Sequence, residues 1–260
     1  MATGVPGNLQ LIINAEDGAT AGLIQSYAAQ ILADYNRERA GPVEMRGGIR
    51  VHPRHWFNPN LEYTTFMVPG ILVLLVTMIG TFLSAMNVVR EKEIGTIEQL
   101  NVTPIKRYQF ITAKLLPFWL VGLIELGIGL VIAWLVFSIP MEGSLGLVFL
   151  LAGVYLVVML AFGLWISTIT ETQQQAMFIA WFIMVVFILM SGLFTPIESM
   201  PPWAQWLTKL NPIAYFIEIM RRVLLKGADF GDVFPQARAL VIYGAVMLFL
   251  AVRQYRKVSV

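Results

Sequence analysis

The stretch that decides the fold is residues 87–104, NVVREKEIGTIEQLNVTP. It follows an apolar run without a gap and mixes glutamates and basic residues with aliphatic ones. Ile94, Ile97 and Leu100 recur every three residues, which predicts an amphipathic helix. Pro104 ends this helix, because proline disfavours helical geometry in the residue before it. The pattern is typical of a surface element that a partner contacts, and also of a juxtamembrane helix that only rests among lipid headgroups, which the pattern alone favours.

Composition indicates an integral membrane protein. The chain has 260 residues, of which 57% are hydrophobic and 13% charged, whereas soluble domains average about 25% charged residues. A net charge of +2 gives no reason to expect a nucleic-acid partner. The chain has no cysteine, which excludes disulfides, thiol catalysis and thiolate metal sites.

Apolar runs predict an all-α polytopic fold with five transmembrane helices. A span takes about 20 apolar residues, and the first four runs reach that length while the fifth is shorter. Arg238, near the start of the fifth run, can snorkel to the interface. The runs cover residues 66–86, 115–139, 145–169, 176–195 and 237–252.

The distribution of basic residues predicts the orientation. The 87–114 loop carries five basic residues and the C-terminal tail three, whereas the 138–144 loop has none. The positive-inside rule therefore places the 87–114 loop and the C-terminus in the cytoplasm. Residues 1–65 and 196–236 then lie outside. Four basic residues count against this locally, so we expect a structured, partly embedded outer segment; they are Lys209, Arg221, Arg222 and Lys226.

The first 60 residues differ from the remainder. The pattern predicts a short strand at 9–14, a helix at 20–39 and a strand at 43–56. These elements are too few to bury a core alone, so residues 1–60 form a partial α+β extracytoplasmic domain and residues 61–260 the transmembrane domain. We expect the chain to be an N-terminally truncated or late-start version of a longer protein with one more span upstream.

Motifs for catalysis are absent from the sequence. It contains neither a G-x-x-x-x-G-K-[S/T] phosphate loop nor an H-E-x-x-H zinc motif. His52 and His55 have a spacing that can hold a metal, but no carboxylate cluster flanks them, and we predict no metal site.

Glu125 is the only charged residue predicted in the middle of a span. Burying it costs about 2.5–3.5 kcal/mol on insertion scales. Gly122, Gly129 and Ala133 lie on nearly the same face and allow close approach of a neighbouring helix. Glu125 is either a polar point on a substrate path or subunit seam, or a protonated or hydrogen-bonded packing residue.

Two further polar segments have two interpretations each. In residues 196–227, Pro202 suits a first helical turn, and a second short helix covers 212–225 before Lys226-Gly227. This pair is either a re-entrant hairpin or an ordinary surface pair with an interfacial stripe of Trp203, Trp206, Leu207 and Leu210. The 168–175 loop is either a second inner contact surface or a tight turn.

Three stretches together resemble type-2 ABC transporter permeases, the membrane subunits of bacterial ABC exporters. They occur in the family order, and the similarity covers essentially the whole chain. It is closest to drug-efflux-like permeases with a large outer domain. The stretches are WFNPNLEYTTFMVPG at 56–70, VVREKEIGTIEQLNVTPI at 88–105 and SGLFTPIESMPPWAQWLTKLNPIAYFIEIMRRVLLKG at 191–227.

The resemblance implies a multi-pass permease of the bacterial inner membrane with six spans, the first of which this chain lacks. It implies two permease subunits, identical or different, and two cytoplasmic ATPase subunits. Those subunits bind the ATP, so the permease needs no cofactor and is not itself an enzyme. Drug-type efflux adds a periplasmic adaptor and an outer-membrane channel. The rival functions are a gradient-driven secondary transporter and a structural membrane anchor.

The resemblance also implies roles for individual residues. The substrate path lies between the two permeases, near the first and fourth runs. The coupling segment that docks on the ATPase comprises Arg90, Glu91, Glu93, Gly95, Thr96, Glu98 and Pro104. The outer gate comprises Pro196, Pro201, Trp203, Asn211, Pro212 and Arg221.

Overall fold

The computed structural model describes residues 11, 18–39, 63–95 and 107–254, and these residues contain helices and no strand. The chain divides into two compact units, Met1–Phe66 and Met67–Val260. Nearly all of the two predicted strands, together with His52 and His55, lies outside the described residues. The predicted α+β character of the first unit therefore stays a prediction.

The first unit contains one described long helix of its own. Helix α1 (Gly18–Arg39) confirms the helix predicted at 20–39. The apolar residues along it are exposed rather than packed, as Leu23 (60%) and Ile31 (68%) show.

The second unit is built from seven further α-helices in its described part, four of them long and apolar enough to cross a membrane. Those four are α2, α4, α8 and the Ile111–Leu135 part of α3. A short 3-10 helix, Ile197–Ser199, precedes α6. The helices are α2 (Tyr63–Ile94), α3 (Arg107–Leu135), α4 (Leu145–Ile169), α5 (Gln173–Leu189), α6 (Pro202–Thr208), α7 (Pro212–Lys226) and α8 (Phe230–Gln254).

The expected lengths of the fourth and fifth runs were wrong. Helix α5 has 17 residues and ends at Leu189, because the chain turns at Met190 and Gly192 takes a left-handed conformation (φ 79°). Helix α8 has 25 residues and begins at Phe230, seven residues before the apolar run. Its first two turns, which include Asp232 and Gln236, extend it to the length of a span.

The prediction of one helix over residues 87–103 was also wrong. Helix α2 continues without interruption through Asn87 and ends at Ile94. Gly95 follows with φ 77°, a left-handed conformation that favours glycine and ends helices. Ile94 is 63% exposed, whereas Ile97 and Leu100 lie outside the described residues.

Helix α4 forms the centre of the second unit, with most of its residues buried. Helix α2 crosses it so closely that a Cβ on Gly163 would lie 2.4 Å from the carbonyl oxygen of Thr81. The Tyr155 hydroxyl lies 2.5 Å from the Thr77 hydroxyl, and its ring stacks on Phe216 of α7 with centroids 4.3 Å apart. Tyr155 lies about 15 Å from the N-terminal end of α4, counted at 1.5 Å per residue from Leu145. Helix α7 therefore packs against the middle of α4 rather than against its end.

Candidate functional site: the charged end of α2

The last turns of α2 form an ion pair with α3. Lys114 Nζ lies 2.5 Å from Glu91 Oε1, and the two side chains are 28% and 24% exposed. Partial burial weakens solvent screening relative to a surface pair. The pair therefore ties the end of α2 to the beginning of α3.

The next two residues of α2 bind the turn between α4 and α5. Lys92 Nζ donates to the carbonyl oxygens of Ser167 and Thr170, the latter at 3.1 Å. Glu93 Oε1 accepts from the Gln173 backbone N–H at 2.8 Å, and Glu93 Oε2 from Gln173 Nε2 at 2.5 Å. A cation thus lies at the C-terminus of α4 and an anion at the N-terminus of α5, and both placements are favourable to the helix dipoles.

An apolar cluster lies next to these charges. Val88, Ile111, Leu164 and Ala251 are buried together, one from each of α2, α3, α4 and α8. Five helices therefore meet at this end of the second unit when α5 is included. We call residues 90–95, Lys114 and residues 167–173 the charged junction.

The predicted coupling residues divide into three groups. Glu91 and Glu93 form the contacts given above, within the chain. Arg90 is exposed. Gly95 is also exposed, and a Cβ at this position would have no neighbour within 4 Å among the described residues. Three predicted residues lie outside the described part of the chain: Thr96, Glu98 and Pro104.

Sequence reasoning missed three residues of the charged junction: Lys92, Lys114 and Gln173. Lys114 carries a recognisable signal, because it is a basic residue in the same predicted loop as the glutamates. Nothing in the sequence connects Lys92 with carbonyl groups 75 and 78 positions away. The 168–175 loop contacts α2 of the same chain through Thr170 and Gln173; whether it is also a contact surface for a partner stays a prediction.

Residues of the predicted outer gate lie at the opposite end of α5. Asn211 caps α7, since its Oδ1 accepts from the Ile213 N–H at 3.0 Å, and its Nδ2 donates to the Phe187 carbonyl at 2.6 Å. The Thr208 hydroxyl lies 3.1 Å from the Met190 carbonyl. Arg221 is 9% exposed and donates from Nη1 to the Gly192 carbonyl at 3.1 Å.

The remaining predicted gate residues shape the short helices. Pro196 and Pro201 precede the 3-10 helix and α6, and Pro212 begins α7. The prediction that Pro202 lies in a first helical turn is confirmed. Trp203 is 67% exposed. The predicted second helix is confirmed, and Gly227 (φ 64°) ends it.

Glu125 lies on α3 between a packed and an open side. Its Oε2 is buried and has no hydrogen-bond partner among the described residues. On the packed side, a Cβ on Gly122 or Gly129 would lie 2.6 or 2.5 Å from a leucine side chain of α4 or α2. Ile124 and Ile128 on the open side are 62% and 57% exposed.

Comparison with known proteins identifies the family. The profile of "ABC-2 family transporter protein" matches residues 2–253. The chain is 32% identical over 249 residues to "Probable multidrug ABC transporter permease YbhR" of Escherichia coli strain K12, covering 96% of this chain and 68% of that protein.

Two further relatives from the same organism agree. "Probable multidrug ABC transporter permease YbhS" is 31% identical over 84% of this chain and 59% of its own length. "Inner membrane transport permease YhhJ" is 29% identical over 96% of this chain and 63% of its own length. The chain thus spans 59–68% of these three relatives. The resemblance found in the sequence is confirmed: this multi-pass integral membrane protein belongs to the ABC-2 family of transporter proteins.

Proposed function

We propose that the chain is the permease subunit of an ATP-driven exporter of the bacterial inner membrane. A separate cytoplasmic ATPase binds and hydrolyses the ATP, and the permease carries the substrate path. Membership of the ABC-2 family and the names of the relatives, which are permeases, support this proposal. The sequence contains no phosphate loop of its own, which accords with ATP binding on another subunit.

The contacts within the charged junction are the main support for a coupling role. Residues 91–93 contact α3, α4 and α5 through hydrogen bonds or ion pairs, and the neighbouring Val88 packs with Ile111, Leu164 and Ala251. A displacement of residues 90–95 by a partner therefore acts on five helices at once. A membrane anchor has no need of such a convergence at one end.

The partners and the orientation follow from the same proposal. The charged junction and the C-terminus face the cytoplasm, and the ATPase docks beside Arg90 and Gly95. Two permease subunits enclose a path for a drug-like or other hydrophobic substrate. Residues 196–227 form a re-entrant outer gate, which is supported by the depth at which Phe216 reaches Tyr155. A periplasmic adaptor and an outer-membrane channel complete the drug-efflux assembly.

Glu125 is the intramembrane polar point of the proposed path or subunit seam. The support is its buried Oε2, which has no hydrogen-bond partner among the described residues, next to the exposed Ile124 and Ile128 of α3. Desolvation of a carboxylate without a partner is costly, so a polar group from the substrate or a second subunit is expected near it during the cycle.

The proposal is tested by co-expressing the permease with the phosphate-loop ATPase encoded by a neighbouring gene. We expect the two proteins to co-purify, to hydrolyse ATP and to export a hydrophobic dye from cells. Charge reversal at both Glu91 and Glu93 is expected to leave insertion and ATP hydrolysis intact while export is lost. A P-loop lysine variant of the ATPase is the control, because it abolishes both activities.

Two results would contradict the proposal. Export that continues with the P-loop variant and stops when the proton or sodium gradient is dissipated identifies a secondary transporter. Unchanged export by the Glu91 and Glu93 double variant removes the coupling assignment from this segment.

A further inference from the structure

Helix α5 is held mainly at its two ends. Along its 17 residues the buried side chains are Ala176, Ala180 and Met184. The opposite side is open, and Phe178 and Phe182 are 67% and 58% exposed. Phe187, near the end of α5, also packs against Phe162 of α4 with ring centroids 5.8 Å apart. Fully buried side chains along the middle of α5 are therefore few and small.

The first turn of α5 is bound to α2. Glu93 accepts hydrogen bonds from both the backbone N–H and the side-chain amide of Gln173. A bidentate, charge-assisted contact fixes direction as well as distance. Movement of the end of α2 is thereby transmitted to the beginning of α5.

The last turn of α5 is bound to the 196–227 segment. Asn211 donates to the Phe187 carbonyl at 2.6 Å, and Thr208 lies within 3.1 Å of the Met190 carbonyl. Both acceptors lie where α5 ends, so their carbonyl groups are not needed inside the helix. Asn211 also caps α7, which links the end of α5 directly to the beginning of that helix.

We propose that Gln173 and Asn211 are positioning residues through which α5 acts as a strut between the charged junction and the 196–227 segment. An α-helix resists axial compression because its backbone hydrogen bonds run along the axis, and movement of one end is transmitted to the other. The inference rests on the proposed function only in that nucleotide at the ATPase supplies the movement.

A second route through α2 has to be distinguished from this one. Gly70 of α2 packs against Leu193. A Cβ on Gly70 would lie 2.2 Å from Leu193 Cδ1, so there is no room for a side chain at this position. Helix α2 therefore also reaches the chain that follows α5. The two routes differ in their dependence on Gln173 and Asn211, which contribute only to the route through α5.

The test uses the permease–ATPase complex in nanodiscs. The chain has no cysteine, so Glu198→Cys in the exposed 3-10 helix supplies a single reporter for an impermeant maleimide. The alkylation rate is measured without nucleotide and after trapping with ATP and vanadate. We expect trapping to change the rate several-fold, and Gln173→Ala and Asn211→Asp each to reduce that change to less than twofold while vanadate-sensitive ATP hydrolysis persists.

Each variant has a matched control. Asn211→Asp keeps an oxygen that can cap α7 and replaces the donor to the Phe187 carbonyl by an oxygen. It also places a negative charge at a buried position, so Asn211→Ala, which removes the donor without adding a charge, is measured beside it. Tyr215→Phe removes a comparable bond to the Lys209 carbonyl within the same segment. Gln175→Ala is the same substitution two residues after Gln173, at a side chain that contacts Glu171. Both controls are expected to keep the full nucleotide response.

A full nucleotide response in either Gln173→Ala or Asn211→Asp overturns the strut, because the proposed route needs both ends of α5, and favours α2 as the route. A reporter that does not respond in the otherwise unmodified chain also overturns it, since the 196–227 segment then does not follow the nucleotide. Failure of the proposed function is a different result, because the ATPase then fails to co-purify or to hydrolyse ATP.

Discussion

Exchange of the charges at Glu91 and Lys114 is the sharpest test of the charged junction. Two unit charges 2.5 Å apart attract each other by about 1.7 kcal/mol at the dielectric constant of water and by about 7 kcal/mol at an effective value of 20. Desolvation offsets much of the larger figure. The two side chains are 24% and 28% exposed. We therefore expect a coupling energy of about 1.5 kcal/mol, which is larger than that of an exposed ion pair and at the lower end of the range for hydrogen bonds to charged groups.

That energy corresponds to about a tenfold change in a conformational equilibrium. Glu91→Lys or Lys114→Glu alone is therefore expected to lower the ratio of dye export to ATP hydrolysis about tenfold. The double exchange is expected to restore that ratio to within about threefold of the unmodified complex, because it rebuilds the pair with opposite polarity.

The pair Arg222–Glu218 provides the control. It is 2.6 Å apart and its side chains are 36% and 42% exposed, so the ion pair itself contributes about 0.3–0.5 kcal/mol. Glu218 also accepts from Gln236, and Arg222 donates to the Asp232 carbonyl, so the single variants disturb more than the pair. The comparison is therefore between the double exchange and the single variants, and we expect the double exchange to recover export by about twofold or less. If the double exchange at Glu91 and Lys114 is no better than the worse single variant, the ion pair does not organise the junction and the reasoning fails.

Three other substitutions give distinct expectations. Gly95→Ala is expected to lower the free energy of unfolding by about 1 kcal/mol through its left-handed backbone alone, since no described residue lies within 4 Å of a Cβ there. The complex should therefore inactivate at a lower temperature. Gly95→Asn should recover part of the lost stability, because asparagine tolerates the left-handed conformation better than alanine. Gly163→Ala forces α2 and α4 apart at Thr81 and is expected to lower the free energy of unfolding by about 1–3 kcal/mol, which thermal unfolding measures. In the control Gly127→Ala the new methyl group meets only ordinary van der Waals contacts, so stability should be unchanged. Glu125→Gln should insert as well as the unmodified chain, because it avoids the cost of about 2.5–3.5 kcal/mol for burying a charge. The variant should lower export. Full export would show that Glu125 is only a packing residue.

Much of the helical architecture could be predicted from the sequence because long apolar runs have few alternatives in a membrane. Residues 145–169 form helix α4 with the predicted bounds. The errors arose where local geometry decides the outcome. The run at 176–195 is apolar throughout, yet Gly192 turns the chain and the helix stops at Leu189. Gly95 similarly ends α2 within a charged pattern that continues past it.

The candidate site was less predictable than the fold. Glu91 and Glu93 attract attention because charges are rare in this chain, but the sequence does not show what they contact. Their partners Lys114 and Gln173 lie 23 and 80 positions away, and only packing of α2 against α3 and α4 brings them together. The capping role of Asn211 is local and readable from its position before Pro212, whereas its bond to Phe187 is not.

The shortness of α5 makes the lipid itself a variable. Seventeen residues extend about 26 Å, less than the roughly 30 Å of a typical hydrocarbon core. A helix bound at both ends cannot slide to relieve this mismatch, so the bilayer thins around it at a cost of a fraction of a kcal/mol per Å. We therefore expect thicker bilayers to pull on the Glu93–Gln173 and Asn211–Phe187 contacts together, and acyl-chain length to affect export through the same two contacts.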